Sequence, residues 1–174
     1  LRNHPDMFVI RDSQIGAADL AAQIRNKYGL QTHILNAGDG AGEHPTQALL
    51  DAYTIWKYLG RLDNLSYLFA GDTKHSRTVN SLLRVISQYQ GNTCYLLEII
   101  REKTGEVIKV KSELRELLVA RGVRCVDITT RDIRNVLPLV DVANWTRVQQ
   151  ARYEPVIENI ELQGMVMQYQ FGLE

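Results

Sequence analysis

Apolar and polar positions alternate along the chain in blocks that predict strands and helices in turn. Short apolar runs recur between longer segments in which Ala and Leu follow a helical spacing. The runs predicted as strands are 7–10, 32–36, 65–70, 94–99, 123–128 and 139–145. The segments predicted as helices are 16–26, 45–59, 78–89, 113–121 and 131–137. Regular alternation of this kind predicts an α/β fold, a doubly wound parallel sheet with helices on both faces.

Turn residues divide this pattern into two unequal parts. Pro45 suits the first turn of a helix, and Gly60 suits its end. Ser112 is expected to cap the helix that follows it. A break directly after Gly60 predicts a first domain over 1–60 and a second, C-terminally incomplete domain over 61–174. The first part has two strands, too few to stand as a sheet alone, so further sequence is expected before Leu1.

Charge and cysteine content narrow the function classes. The chain has 20 Lys+Arg against 20 Asp+Glu, so it lacks the basic excess with which proteins bind nucleic acid or acidic membranes. No apolar run approaches the roughly 18 residues of a membrane helix. Cys94 and Cys125 lie in apolar runs and lack metal-ligand spacing, which favours buried thiols in a reducing cytoplasm. We therefore expect a cytoplasmic protein without a bound metal.

Two polar clusters in the first part could bind ligand, because ligands of open α/β sheets collect at the carboxyl ends of strands. Arg11 follows the first strand, and its guanidinium suits a phosphate or carboxylate unless it is simply a solvated surface arginine. His44 and Gln47 lie three residues apart at a helix start and so share a face. A helix-capping turn explains this second cluster equally well.

Two further clusters lie in the second part. Arg77 and Thr78 open a helix, where the dipole favours an anion, although plain capping is the alternative. Arg147 and Gln149 face one side if their segment is extended, and a surface role is the alternative. The charged stretch 101–115 is interpreted as a solvated face. These clusters combine arginines with amide donors, and they contain no nucleophile and no paired carboxylates. This combination predicts a ligase, transferase or binding site for small anionic substrates.

Three motifs resemble those of aspartate carbamoyltransferases, within the aspartate/ornithine carbamoyltransferase family. They are NAGDGAGEHPTQALLD at 36–51, the Arg-Thr pair that ends 71–78, and TRVQ at 146–149. The resemblance extends from Arg11 to about Tyr153. An ornithine enzyme would be expected to carry an asparagine-rich segment in place of Arg77, so the aspartate branch is favoured.

The resemblance implies roles for seven residues. Those that would contact carbamoyl phosphate are Arg11, His44 and Gln47. Those that would hold the two carboxylates of L-aspartate are Arg77, Thr78, Arg147 and Gln149. The implied reaction transfers the carbamoyl group to the aspartate amine and yields N-carbamoyl-L-aspartate for pyrimidine synthesis. The implied enzyme is a homotrimer with shared active sites and no cofactor.

Several features of the family pattern are missing from this sequence. The phosphate-binding Ser-Thr-Arg-Thr turn, the lysine loop lent by a neighbouring subunit and the closing His-Pro-Leu-Pro segment do not occur in it. Asp12 and Ala151 stand where the family usually has histidine and an acidic residue. We therefore expect the central and aspartate-binding portion of a longer enzyme. The alternative is a non-catalytic carbamoyltransferase-like module that binds an amino acid or assembles with a complete partner.

Overall fold

The computed structural model describes residues 5–40, 42–100, 105 and 107–146. Its first group of elements is β1 (Met7–Asp12), α1 (Ala17–Lys27), β2 (His33–Asp39) and α2 (Pro45–Leu59). Its second group is β3 (Ser66–Gly71), α3 (Arg77–Ile86), β4 (Thr93–Leu97), β5 (Ile99–Ile100), β6 (Val107–Ile108), α4 (Ser112–Ala120), β7 (Arg124–Ile128), α5 (Ile133–Val136) and β8 (Val142–Thr146). Single 3-10 turns, Thr130–Asp132 and Leu137–Leu139, flank α5.

Four strands of the second group form one parallel sheet in the order β7-β4-β3-β8. From β3 the polypeptide adds β4 and then β7 on one side, and it later returns to add β8 on the other side of β3. This reversal between β3 and β8 is the topological switch point, where open α/β sheets bind ligands. The predicted doubly wound parallel sheet is confirmed.

Buried side chains cover both faces of this sheet. Along β3, Tyr67 and Phe69 point to one face and Leu68 and Ala70 to the other, as strand pleating requires. The first face packs against α2, α3 and α4. The second packs against α5 and the short β5–β6 pair. Because both faces are buried, β3 reads as a continuous apolar run rather than an alternating one.

The connection from α2 into this sheet is fixed by one amide side chain. Asn92 is 1% exposed, and its Nδ2 donates to the carbonyl oxygens of Leu62 at 2.9 Å and Ile86 at 3.2 Å. Its Oδ1 accepts from the backbone N–H of Leu65 at 3.0 Å. A single side chain thus joins the start of β3 to the end of α3.

The first group is organised differently. β1 and β2 pair in parallel as a two-stranded sheet, with α1 packed beside it. Large apolar side chains of β1, α1 and α2 are exposed, among them Phe8, Val9, Leu49, Tyr53 and Trp56. The buried apolar core therefore lies mainly in the second group.

One local prediction differs from the structure, and one element was not predicted. Within 101–115 the described charged residues Lys109, Lys111 and Glu113 are exposed, as expected of a solvated face, but the stretch also includes Ile108, which is buried and pairs with Ile99 in an antiparallel hairpin. Strands of two residues carry no readable periodicity. Ser112 is not the cap of α4, which begins at Ser112 itself after Lys111. None of the described helices combines the length and apolar composition of a membrane span.

Candidate functional site

The carboxyl ends of β3 and β8 meet in close backbone contact at the switch point. Gly71 ends β3 with φ +91°, and a Cβ placed there would lie 1.9 Å from the Thr146 carbonyl oxygen. Ser76 caps α3 by accepting from the Val79 N–H at 3.4 Å, and the Thr146 hydroxyl lies 3.1 Å from the same oxygen. Only glycine fits between these strand ends, which brings the loop before α3 against β8.

His44 opens α2 and has a defined ring orientation. Its Nδ1 accepts from the Gln47 backbone N–H at 3.4 Å, so this nitrogen carries no proton and the neutral ring is protonated on Nε2. Burial lowers the pKa of His44 below its usual 6.5, and the positive charges of Arg77 and Arg11 lower it further. His44 therefore presents a neutral Nε2–H donor near neutral pH. Helix capping, the alternative reading of this cluster, is also correct.

Gln47 is oriented by its own helix. Its Nε2 donates to Asp51 Oδ1 at 2.8 Å, one turn further along α2. Because the carboxylate accepts from the amide nitrogen, the Gln47 Oε1 is left as an acceptor for another group.

Two arginines approach the turn between β2 and α2 from different elements. Arg77, the first residue of α3, donates through its guanidinium to the Gly40 carbonyl oxygen. Arg11, near the end of β1, passes beside Gly38, where an added Cβ would lie 3.4 Å from Arg11 Cγ. Both charges act on His44. The arrangement places two cations and a neutral N–H donor around one turn, which can bind an anion and stabilise charge on a developing oxyanion.

The structure brings together Arg11, His44 and Arg77, and it places Gln47 in the first turn of α2. Thr78 lies in the first turn of α3, with its Oγ1 2.9 Å from Ser76 Oγ. The two remaining predicted residues, Arg147 and Gln149, lie outside the described residues, directly after β8. Among the described residues, no group of three or more His, Cys, Asp or Glu side chains could hold a metal ion.

Sequence reasoning missed the residues behind His44. The His44 backbone N–H donates to Ser81 Oγ at 2.8 Å, and Ser81 in turn donates to Glu43. Arg84 Nε also binds Glu43, at 2.9 Å. Glu43 was visible beside His44 in the sequence, but its partners on α3 lie about 40 positions away and no spacing links them.

The sequence of this chain is similar to those of known proteins of one family. Residues 1–57 match the family model described as aspartate/ornithine carbamoyltransferase, carbamoyl-P binding domain. The aspartate carbamoyltransferase catalytic subunit of Aliivibrio fischeri is 36% identical over 154 residues, which are 88% of this chain and 46% of that protein. Its counterpart from Thermococcus kodakarensis is 34% identical over 174 residues, 100% of this chain and 51% of that protein.

Solved structures give the same result. The catalytic subunit of M. jannaschii aspartate transcarbamoylase superposes with a TM-score of 0.76 at 32% identity, covering 92% of this chain and 48% of that one. Aspartate transcarbamoylase from Trypanosoma cruzi, in complex with carbamoyl phosphate, gives 0.70 at 29% identity, covering 92% and 48%. The chain thus spans about half the length of these relatives. Shared sequence, shared fold and the domain match over residues 1–57 support assignment of this chain to the aspartate carbamoyltransferase family.

Proposed function

We propose that this chain forms part of a site that transfers the carbamoyl group of carbamoyl phosphate to L-aspartate. The products would be N-carbamoyl-L-aspartate and phosphate, in pyrimidine biosynthesis. The observation that carries the proposal is that Arg77 binds the Gly40 carbonyl and Arg11 passes beside Gly38, in the turn that leads to His44, whose pKa burial and these two charges lower. A dianionic substrate with a reactive carbonyl needs this combination, since cations bind the phosphate while an uncharged N–H donor contacts the carbonyl oxygen.

In the proposed reaction the aspartate amine bonds to the carbonyl carbon, and the carbonyl π electrons move to oxygen. His44 Nε2–H and Arg11 stabilise this oxyanion, while Gln47 Oε1 accepts from the carbamoyl NH₂. The intermediate then collapses, the bond to phosphate breaks, and the proton given up by the amine leaves with the phosphate. The protein acts by binding, orientation and charge stabilisation, and no covalent bond forms between substrate and protein.

Aspartate would bind at the switch point of the second sheet. Arg77 and Thr78 begin α3 there, and we expect Arg147 and Gln149, which lie outside the described residues, to contribute from the sequence that follows β8. Two guanidinium groups suit the two carboxylates of a dicarboxylic acid. The bond from Arg77 to Gly40 uses one of its five N–H donors, so donors remain for substrate.

We further propose that 1–60 is part of a carbamoyl-phosphate domain with α2 as its interdomain helix, and that 61–174 is an aspartate-binding domain. The match of residues 1–57 to the carbamoyl-P binding domain supports the first assignment. The full-length protein would be a cytoplasmic homotrimer with active sites shared between subunits. Light scattering of that protein would measure the mass of the assembly.

The test is carbamoyl transfer to aspartate by the full-length protein that contains this chain, with ornithine as the control amine. We expect carbamoyl-aspartate and no carbamoyl-ornithine. His44→Ala should lower turnover by roughly 10²–10³-fold, as loss of an oxyanion donor does elsewhere. His33→Ala, the same substitution at an exposed position at the start of β2, should leave turnover unchanged.

Binding separates the proposal from its alternative. Titration with N-(phosphonacetyl)-L-aspartate, which the Trypanosoma cruzi enzyme binds, reports on both substrate regions at once. Binding of succinate without any turnover would favour the non-catalytic module that binds an amino acid. Turnover of ornithine, or a His44→Ala variant with unchanged turnover, would refute the proposed chemistry.

A further inference from the structure

We infer that Glu43 is a positioning residue for His44, acting through the Ser81 hydroxyl. This inference rests on the proposed function for its kinetic consequences, but its structural claim can be measured on the protein without substrate. The chain of contacts runs from the His44 backbone N–H to Ser81 Oγ at 2.8 Å, and from the Ser81 hydroxyl to Glu43 Oε2.

The Ser81 hydroxyl accepts one hydrogen bond and donates the other in this series of contacts. A hydroxyl has one hydrogen to donate and two lone pairs to accept with. Because Ser81 donates its hydrogen to the Glu43 carboxylate, a lone pair is turned toward the His44 N–H. Ser81 is 5% exposed, so its hydroxyl must find its partners within the protein.

Glu43 prevents an alternative arrangement. A helical serine without an outside acceptor commonly donates to the carbonyl four residues earlier, which for Ser81 belongs to Arg77. That rotation would turn the hydroxyl toward its own helix and weaken its contact with the His44 N–H. The carboxylate keeps Ser81 directed across the gap between α3 and the turn before α2.

The ion pair between Glu43 and Arg84 is secondary. The side chains of Arg84 and Glu43 are 53% and 38% exposed, and water screens such pairs strongly. Arg84 therefore contributes little to holding His44. The important partner is Ser81, which lies one turn after Arg77 on α3, so both residues reach the turn between β2 and α2.

The consequence is that α3 fixes the start of α2 at two points. Arg77 binds the carbonyl of Gly40, and Ser81 binds the backbone of His44 and the carboxylate of Glu43. His44 is thereby oriented by the same helix whose first residue would bind aspartate. The ring position for carbamoyl transfer thus depends on the Glu43 carboxylate through the Ser81 hydroxyl.

The experiment compares Glu43→Ala, Glu43→Gln and Glu113→Ala. Glutamine keeps an oxygen that accepts from Ser81, whereas alanine removes it, and Glu113 is an exposed glutamate on α4. In the protein without substrate, Glu43→Ala should speed exchange of the His44 amide hydrogen at least tenfold. Exchange at Leu96 in the buried strand β4 should stay unchanged. Glu43→Gln should remain within threefold of the parent protein, and Glu113→Ala should match it.

Kinetics then connects the structural claim to the reaction. Glu43→Ala should lower kcat about tenfold with the KM for aspartate within twofold, and Glu43→Gln should restore kcat. Unchanged His44 exchange in Glu43→Ala would overturn the inference, as would a loss that glutamine does not rescue. Faster exchange throughout β4 would show a purely structural role and overturn it too. If the full-length parent protein has no turnover, the proposed function fails, while the exchange data still decide this inference.

Discussion

Replacing Gly71 with alanine should separate the ends of β3 and β8 and destabilise the second sheet. Two effects combine at this residue. Its φ of +91° lies in the left-handed region, which costs an L-residue about 1–2 kcal/mol. Its added Cβ would lie 1.9 Å from the Thr146 carbonyl oxygen and 2.9 Å from the Thr146 carbonyl carbon, both backbone atoms. The strands must therefore move apart.

Gly60 offers a matched control for the first effect. It ends α2 with φ +72°, and a Cβ built on it meets nothing within 4 Å. Gly60→Ala should therefore cost about 1–2 kcal/mol from backbone strain alone. Gly71→Ala adds the loss of pairing between Gly71 and Thr146, and breaking roughly two ladder hydrogen bonds at about 1 kcal/mol each would bring the total to about 3–4 kcal/mol.

Urea unfolding followed by circular dichroism measures both variants. We expect Gly71→Ala to lower the free energy of unfolding by about 2 kcal/mol more than Gly60→Ala does. It should also weaken succinate binding, because the switch point widens. Equal losses in the two variants would show that the contact with Thr146 relaxes freely, and the steric reasoning would then be wrong.

Two further predictions concern His44 and Asn92. By NMR titration the pKa of His44 should lie below 6.5 and rise in Arg77→Ala but not in Arg61→Ala. With a lowered pKa in the folded protein, the unfolded chain binds more protons at His44 as pH falls through 6.5. His44 should therefore make the free energy of unfolding decrease toward acid pH and contribute no pH dependence well above 6.5. An increase toward acid pH that disappears in His44→Ala would contradict this prediction. Asn92→Ala should lower that free energy by about 2–4 kcal/mol, since it leaves buried backbone groups unpaired, whereas the exposed Asn135→Ala should change it by less than about 0.5 kcal/mol.

Much of the fold was readable from the sequence because its signals are local. The apolar run 65–70 predicts β3 to within one residue, and Pro45 and Gly60 mark both ends of α2. The order of the strands was not predicted, since it depends on contacts between distant segments. The β5–β6 hairpin was missed because two-residue strands have no period to detect.

In the candidate site too, local features were predictable from the sequence and contacts between distant residues were not. Spacing on one helix face indicated His44 and Gln47, and the resemblance supplied their roles. The tautomer of His44 was not predictable, because it depends on a backbone N–H accepted at 3.4 Å in the folded chain. The contact between Glu43 and Ser81 joins residues 38 positions apart and leaves no pattern in the sequence. The roles of Arg147 and Gln149 stay predictions.

The position of β3 between β4 and β8 also determines the order in which the sheet can be assembled. β4 follows β3 closely, but β8 comes much later, and the bond from the Ser66 N–H to Asp141 spans 75 residues. At roughly 5–20 residues per second, a ribosome needs about 4–15 s to make that stretch. During this time the central strand has one open edge, the feature that invites wrong pairing with other chains. The crevice between β3 and β8, where we propose that substrate binds, is thus the last part of the sheet to form.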